Sequence, residues 1–205
     1  MRADIRGLLL CGGASTRFGA NKLLALAPVS ATAPARAAQP IASLAAQNLL
    51  AGVNRALAVI RPGESALRSV LEEAGCEVLE EARARYGIGE SLACAVAATR
   101  EAAGWVVSLG DMPFVRAATI RAVRSQLELG ATIAAPLNPL TGQRGHPVGF
   151  SCTLMEELLA LRGDEGARAV IERHHHELVP VPVDDPGIFF DVDTPEDLAR
   201  APRRA

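Results

Sequence analysis

The sequence predicts an α/β protein of three αβα layers, with a Rossmann-like, doubly wound and mostly parallel sheet. Short apolar runs alternate with helical segments through the first two thirds of the chain, which is the pattern of repeated βαβ units. The first run, residues 5–11, is apolar apart from Arg6, as expected for a parallel strand covered on both faces. Because 49% of the 205 residues are hydrophobic, we expect one compact domain over residues 1–205.

In the first half of the chain, glycines mark most boundaries between the predicted elements. The first strand, residues 5–11, runs into a pair of glycines. Residues 25–40 are rich in alanine and proline and lack periodicity, so they predict a loop insertion. The elements that follow are helix 41–51, strand 55–60, helix 64–74 and strand 76–79. Gly52 and Gly75 follow the two helices, where glycine commonly adopts the left-handed conformation.

The second half continues this alternation and then becomes less regular. Its predicted elements are helix 91–103, strand 105–109, helix 119–129, strand 132–135, strand 147–150, a helical stretch 154–174, strand 178–183 and strand 188–192. A final helix should begin after Thr194, because a threonine cap, Pro195 and acids in the first turn are helix-start signals. His174, His175 and His176 resemble a metal cluster, but consecutive side chains do not converge on one ion, so we expect none there.

Composition narrows the classes of function. Lys and Arg number 21 against 23 Asp and Glu, giving a net charge of −2, and aromatic residues make up 3%. Proteins that bind nucleic acid usually show a basic excess or aromatic stacking platforms, so nucleic acid is not expected as the main partner. No apolar stretch approaches the roughly 20 residues of a membrane helix. The four cysteines form no C-x-x-C pair, and we expect a cytoplasmic protein with reduced thiols.

A glycine-rich loop follows the first strand, at the edge where open α/β sheets bind ligands. It runs from Leu9 to Lys22 and contains Gly12, Gly13 and Arg17. Backbone N–H groups in such a loop can cradle phosphates, and the two cations favour that role over a simple tight turn. Lys22 is also the single lysine among the 21 basic residues, which hints at a position that needs a compact cation. The loop matches neither a Walker P-loop nor a dinucleotide fingerprint.

Acidic residues follow two other predicted strands. Asp111 comes after a buried strand and Gly110, where an aspartate can ligate a nucleotide-bound Mg²⁺ or can serve a turn. Because the chain also contains the glycine-rich loop that predicts phosphate binding, the metal-binding role of Asp111 is favoured over the turn. Asp191 and Asp193 alternate on another strand end and should point to opposite faces, so at most one of them should reach the site. Asp193 could instead cap the last helix.

Two later segments are candidates for contact with a second substrate. His146 lies in a Gly-His-Pro loop and could either contact a substrate or be an ordinary loop residue. Residues 163–168 could be a helix start capped by Asp164, or an anion-binding loop that includes Arg168. Both alternatives use the same free N–H groups, so the sequence does not decide between them.

Together these motifs resemble the MobA-like nucleotidyltransferases with a GT-A-like Rossmann domain, in particular the molybdenum cofactor cytidylyltransferases and guanylyltransferases. The motifs that carry the resemblance occur in order along the chain, at 9–22, 110–113, 142–150, 163–168 and 191–198. The resemblance implies transfer of a nucleoside monophosphate from an NTP to the phosphate of molybdopterin, with release of pyrophosphate. The later motifs favour CTP, whereas Cys11-Gly12-Gly13 is more similar to the GTP-using branch. The resemblance also implies a molybdoenzyme or its chaperone as a partner.

The resemblance further implies a role for each candidate residue. The nucleotide-binding group is Cys11, Gly12, Gly13, Gly89, Ser91 and Gly110. The catalytic group is Arg17, Lys22 and Asp111. Mg²⁺, the expected cofactor, would be held by Asp111 with Asp191 or Asp193. The acceptor-binding group is His146, Asp164 and Arg168.

Two other functions remain open from the sequence. A related cytidylyltransferase would keep this fold and act on a sugar phosphate or a polyol phosphate such as methylerythritol phosphate. A non-catalytic accessory protein would bind nucleotide or pterin and assist the maturation of a molybdoenzyme. The presence of both Lys22 and Asp111 favours an enzyme over the accessory protein.

Overall fold

A computed structural model describes residues 4–13, 21–28 and 38–200 and confirms the predicted fold class. The strands are β1 (Ile5–Leu10), β2 (Leu26–Ala27), β3 (Gln39–Pro40), β4 (Ala56–Ile60), β5 (Glu77–Glu80), β6 (Gly104–Leu109), β7 (Ile133–Leu137), β8 (Val148–Ser151) and β9 (Leu178–Pro182). The helices are α1 (Ile41–Gly52), α2 (Ser65–Glu73), α3 (Ile88–Ala97), α4 (Ala117–Glu128), α5 (Met155–Leu159), α6 (Arg168–Arg173) and α7 (Pro195–Ala199). No helix in the described ranges is long and apolar enough to cross a membrane.

Seven of these strands form one mixed sheet in the order β5-β4-β1-β6-β8-β7-β9. Strands β5, β4, β1 and β6 run parallel to one another. Their carboxyl ends therefore meet at one edge, and the loops that follow β1 and β6 become neighbours there. Strand β8 is antiparallel to both β6 and β7, whereas β9 is parallel to β7.

Successive side chains of the strands enter two apolar cores, one on each face of the sheet. On β1, Leu9 packs with α1, α2 and α4, whereas Leu8 packs with α3, α5 and α6. On β6, Val106 and Trp105 divide in the same way. The indole Nε1 of the fully buried Trp105 donates to Thr99 Oγ1 at 2.9 Å, so its polar atom is satisfied. The alternation of side chains along a strand thus builds the three layers.

The strand predicted over residues 188–192 is wrong. Pro186–Phe189 forms a 3₁₀ turn instead, and the chain after it pairs with a loop rather than with a strand. Val192 N–H donates to Asp111 O at 2.9 Å, at the carboxyl edge of the sheet. Ile188 and Val192 are buried, so the apolar run reflects contact with the core and not extended pairing.

Two predicted helices also differ from the structure, and glycines explain why. Gly163 and Gly166 have φ of 61° and 57°, a conformation that ends helices, so the predicted stretch 154–174 divides into α5 and α6. Gly87 has φ of 127° and turns the chain directly before α3. The helix predicted over 91–103 therefore begins earlier, at Ile88. It also ends earlier, at Ala97, and a turn leads from it into β6.

The predicted loop insertion, residues 25–40, contains a short ladder. Strand β2 pairs with β3 in antiparallel register, Leu26 opposite Pro40 and Ala27 opposite Gln39. Residues 29–37 between them lie outside the described residues.

An ion-pair cluster joins the end of α6 to α5. The Nε2 atom of His174 lies 2.7 Å from Glu157 Oε1, and its Nδ1 lies 2.9 Å from Glu177 Oε1. Hydrogen bonds with Glu177 and Glu157 raise the pKa of His174. Protonated His174 therefore stabilises this side of the fold.

We expect His174→Gln to lower the Tm more at about pH 5.5 than at about pH 9. A histidine whose pKa is raised by folding stabilises fully below its unfolded pKa of about 6.5. That contribution is lost as the pH rises through the higher folded pKa. Thermal unfolding followed by circular dichroism measures both values. His175→Gln is the matched control, because His175 Nδ1 contacts the backbone carbonyl of Glu172 and not a carboxylate. An equal loss of Tm at both pH values would contradict this role.

Candidate active site

Lys22 stands at the centre of a charged group on the carboxyl edge of the sheet. Its Nζ lies 2.8 Å from Asp111 Oδ2 and 2.8 Å from Asp193 Oδ1. Lys22 begins a short 3₁₀ turn, where the side chain of Asn21 accepts from Leu23 N–H at 3.1 Å and Leu23 is buried. Three segments that are distant in the sequence thus converge on one ammonium group.

A network around Asp185 holds the last of these segments in place. The carboxylate of Asp185 is buried and accepts from Arg116 N–H at 2.9 Å and from the Thr119 hydroxyl at 2.6 Å. It therefore ties the 3₁₀ turn at Pro186–Phe189 to the start of α4. A few residues later, the bond from Val192 N–H to Asp111 O carries Asp193 to its place beside Lys22.

The start of α7 fixes the backbone of Asp193. The N–H groups of Asp193 and Thr194 donate to Asp197 Oδ2 at 3.0 and 2.8 Å. These bonds, led by the one from Thr194, lower the pKa of Asp197. Thr194 is the N-cap residue as predicted, whereas the Asp193 carboxylate is turned to Lys22 rather than to the helix.

Lys22 is the most enclosed member of the charged group. The Lys22 side chain is 12% exposed. Burial lowers its pKa, but hydrogen bonds with Asp111 and Asp193 outweigh that effect, so the pKa of Lys22 is raised and the ammonium persists. The second oxygen of Asp111, Oδ1, is buried and has no hydrogen-bond partner within the described residues. An acceptor of this kind can take a cation or a donor from a ligand.

A cleft of about 320 Å³ lies beside this group. It brings together the predicted residues Gly12, Gly13, Ser91 and Asp111, and its remaining polar lining includes Arg85. An ideal Cβ on Gly12 would lie 2.8 Å from Ser91 Oγ and 2.9 Å from Ala84 O, so a larger residue there would intrude on the opposite wall. An ideal Cβ on Gly13 would meet no atom within 4 Å.

Cys11 and Gly110 lie next to this cleft without lining it. Cys11 is buried, and burial raises the pKa of its thiol. An ideal Cβ on Gly110 would lie 2.6 Å from Cys11 Sγ, and Gly110 N–H donates to Leu10 O at 3.0 Å. The two residues therefore pack the loops after β1 and β6 against each other.

The start of α3 packs tightly against the segment between α5 and α6. Gly89 N–H donates to Gly163 O at 2.8 Å, and a Cβ on Gly89 would lie 2.9 Å from that oxygen. A Cβ on Gly87 would collide with Asp164 and Gly163. Asp164, predicted to contact the acceptor, consequently lines the cleft of Gly12 and Gly13. Gly89, predicted to contact the base, is engaged by the protein backbone instead.

A second cleft, of about 460 Å³, opens next to the first. Its apolar floor includes Val107, Phe150 and Ile171. Its charged and polar lining consists of Arg144, His146, Glu165, Arg168 and Glu172. The structure thus brings together two predicted acceptor residues and adds Arg144, which the sequence analysis missed although it lies in the same motif as His146. The two clefts share Leu10, Ile88 and Leu109.

His146 is a neutral hydrogen-bonding group in this position. Burial lowers its pKa, and the charges of Asp111 and Asp191 offset that effect in part. Its Nδ1 is buried without a hydrogen-bond partner within the described residues. Its backbone N–H donates to Ile188 O at 3.0 Å, which fixes the loop before β8. Asp191 is exposed. The carboxylate of Asp193 is the one that contacts Lys22, together with that of Asp111.

Two further site predictions concern Arg17 and the metal ion. Arg17, predicted to hold phosphates, is outside the described residues. In the described ranges, no group of three or more His, Cys, Asp or Glu side chains could hold a metal ion.

Comparison with known proteins gives consistent relatives. A family model described as MobA-like NTP transferase domain matches residues 7–178. No curated protein matches the chain in sequence. Rv0371c from Mycobacterium tuberculosis H37Rv is 28% identical, with a TM-score of 0.77 and coverage of 98% of this chain and 97% of that one. Its complex with manganese is 25% identical over 98% of both chains, with a TM-score of 0.76. A nucleotidyl transferase from Methanothermobacter, 19% identical, covers 96% of this chain and 95% of that chain with a TM-score of 0.76, a likeness of fold alone.

We expect Gly12→Ala to destabilise the protein by about 1–3 kcal/mol, because the added methyl would press on the backbone at Ala84 and on Ser91. Gly13→Ala is the matched control, since its methyl enters open space and should change stability by less than about 0.5 kcal/mol. Urea denaturation measures both free energies of unfolding. Equal values for the two variants would show that the cleft is less closely packed than the structure indicates.

Proposed function

Because this chain belongs to the MobA-like NTP transferase family and is a nucleotidyltransferase, we propose that it transfers CMP from CTP to the phosphate of molybdopterin. The reaction releases pyrophosphate. The observation that carries this proposal is the pair of adjoining clefts with the Lys22, Asp111 and Asp193 group beside them. One cleft suits a nucleotide and the other suits a phosphorylated ring, and the charged group suits the phosphates.

The smaller cleft is the proposed nucleotide site. Gly12 and Gly13 present backbone without side chains after a parallel strand, as phosphate-binding loops do. Ser91 and Arg85 line the same cleft and can contact the base or ribose. Cys11 and Gly110 support this wall from outside the cleft, and Gly89 contributes through its packing on Gly163. Arg17 keeps its proposed role in binding phosphates.

Asp111 and Asp193 fit a divalent cation such as Mg²⁺. Both carboxylates already contact one cation, the Lys22 ammonium, and Asp111 Oδ1 is a buried acceptor that no described residue satisfies with a hydrogen bond. Magnesium is commonly held by one or two carboxylates together with substrate phosphates, which agrees with a site of fewer than three protein ligands in the described chain. When bound, the ion supplies neutralisation of charge on the phosphates. Asp191 faces solvent and is a weaker candidate.

The larger cleft is the proposed acceptor site. Its apolar floor can cover a ring system, while Arg144 and Arg168 can pair with a phosphate. Neutral His146 adds a hydrogen bond close to Asp111 without adding charge. Asp164 lines the nucleotide cleft, so in this proposal it contributes to the wall between substrates rather than to the acceptor itself.

In the proposed reaction, an oxygen of the acceptor phosphate attacks the α-phosphorus of the NTP. The bond from that phosphorus to the β-phosphate oxygen breaks, and pyrophosphate leaves with the bonding electron pair. A phosphomonoester has its second pKa near 6, so the nucleophile is largely ionised at neutral pH and needs no general base. The protein must instead overcome repulsion between anions, and Lys22 with the arginines supplies that by electrostatic stabilisation and alignment.

GTP is the alternative donor, since Cys11-Gly12-Gly13 resembles the guanylyl branch. A sugar or polyol phosphate is the alternative acceptor, although the apolar floor of the larger cleft favours a ring system. After transfer, the product would pass to a molybdoenzyme or its chaperone.

Pyrophosphate release tests the proposed function directly. We expect release with CTP in the presence of molybdopterin, and little with GTP, ATP or CTP alone. A preference for GTP would make the protein a guanylyltransferase, and release with methylerythritol phosphate would replace the acceptor. Nucleotide or pterin binding without release under any condition would favour the non-catalytic accessory protein.

We expect Lys22→Ala to lower kcat by about 100-fold or more, because a charge-stabilising donor beside the transferring phosphate is lost. Lys22→Arg should also be impaired, because a planar fork does not replace a compact ammonium between two carboxylates. Steady-state kinetics with the true acceptor measure the effect, and Tm reports folding. Near wild-type turnover in Lys22→Ala would remove Lys22 from the mechanism.

A further inference from the structure

We propose that Lys22 is an internal competitor for the metal: without nucleotide, its ammonium fills the cation position between Asp111 and Asp193. Nucleotide phosphates draw the ammonium away, and the carboxylate pair then becomes available to a divalent ion. Nucleotide binding would in this way create the metal site. The inference rests on the proposed function, because it assigns those carboxylates to a metal that accompanies the NTP.

The geometry around Lys22 supports this competition. One nitrogen lies 2.8 Å from an oxygen of each carboxylate, so the ammonium bridges both acids at once. The Lys22 side chain is 12% exposed, whereas those of Asp111 and Asp193 are 25% and 43% exposed. The lysine is therefore the more enclosed partner, and the carboxylates are the part of the group that solvent and ligands reach.

Hydrogen bonds that do not involve Lys22 hold the backbones of Asp111 and Asp193 in place. Val192 N–H donates to Asp111 O at 2.9 Å, which joins the two loops directly. Asp193 N–H donates to Asp197 Oδ2 at 3.0 Å, which anchors the residue to the start of α7. The acidic pair should therefore persist when the ammonium leaves. A lysine that was needed to bring the acids together could not act as a removable competitor.

Lys22 and a divalent ion cannot share these oxygens. Magnesium binds carboxylate oxygens at about 2.0–2.1 Å in near-octahedral coordination, so it would overlap with an ammonium that bridges the same oxygens. Two adjacent cations would also repel each other. The lysine stem has four flexible carbons, which lets the ammonium move toward a phosphate while the 3₁₀ turn around Leu23 stays anchored.

This arrangement makes the binding of metal and nucleotide cooperative. Metal alone must compete with an ammonium that is already in contact with both acids, and it should bind weakly. Nucleotide offers that ammonium other anions, and so raises the affinity for metal beyond what its own phosphates contribute. By linkage, metal raises the affinity for nucleotide by the same factor.

Binding of Mn²⁺ in the absence of nucleotide tests the inference. Titration followed by the electron paramagnetic resonance signal of free Mn²⁺ gives the Kd for the wild type and for Lys22→Met, which keeps the length of the stem and removes the charge. We expect Lys22→Met to bind Mn²⁺ about tenfold more tightly, because the ammonium no longer competes with the ion for the acidic pair. Unchanged or weaker binding in Lys22→Met, or no binding in either protein, would overturn the proposal.

Two further variants locate the effect. Arg144→Met removes a positive charge from the neighbouring cleft and should leave the Kd for Mn²⁺ unchanged, because Arg144 does not line the cleft of Asp111. Lys22→Met combined with Asp193→Asn should lose the gain, because one carboxylate of the pair is gone. A similar gain in Arg144→Met, or a gain that survives loss of Asp193, would point to general electrostatics and against competition at this site.

Calorimetry with CTP and with GTP separates this inference from the proposed function. If no nucleotide binds the wild type, the proposed function fails, while the comparison of Mn²⁺ binding still decides whether Lys22 competes for the acidic pair. If nucleotide binds but does not raise the affinity for Mn²⁺ in the wild type, the inference fails and the nucleotidyltransferase site stands.

Discussion

The hydrogen bond from Val192 N–H to Asp111 O is the contact on which the site depends. Parallel strands bring the loops after β1 and β6 together at one edge, but nothing in that topology supplies a third loop from the end of the chain. The bond brings this third loop to the site, because it ties Val192, the residue between Asp191 and Asp193, to the loop after β6. The buried carboxylate of Asp185 supports it by satisfying donors at the start of α4. A backbone contact thus decides which acid reaches Lys22.

Much of the fold could be predicted because burial leaves a clear mark on the sequence. The parallel strands β1, β4 and β6 are apolar runs interrupted only by Arg6 in β1 and Ser108 in β6, and glycines mark the ends of α1 and α2. The C-terminal third was harder, because the same apolar mark is left by any buried segment. Residues 188–192 are buried through a 3₁₀ turn and loop contacts, and the apolar run cannot reveal which backbone partners it meets. The division of 154–174 depended on Gly163 and Gly166, whose positive φ values of 61° and 57° separate α5 from α6.

For the site, residues close to strand ends could be predicted and contacts across the fold could not. Lys22 and Asp111 follow from their position after β1 and β6, and their ion pair is in the structure. The sequence could not show which of Asp191 and Asp193 contacts Lys22. The prediction placed both acids at the end of a strand over residues 188–192, and the chain does not form that strand. Asp164 was predicted to contact the acceptor, and the structure places it against Gly87 in the cleft of Gly12 and Gly13. Sequence spacing carries no information about such contacts between distant glycines and loops.

The three apolar residues common to both clefts also constrain how this protein could diverge. Leu10, Ile88 and Leu109 line both clefts and form a partition between them. A change in the size of any of them alters both clefts, so the shapes of the two clefts cannot diverge independently through these positions. Phe150 and Ile171 line the larger cleft alone, and Ser91 lines the smaller one alone. Substitutions at those residues can therefore reshape one cleft while the partition and the other cleft stay unchanged.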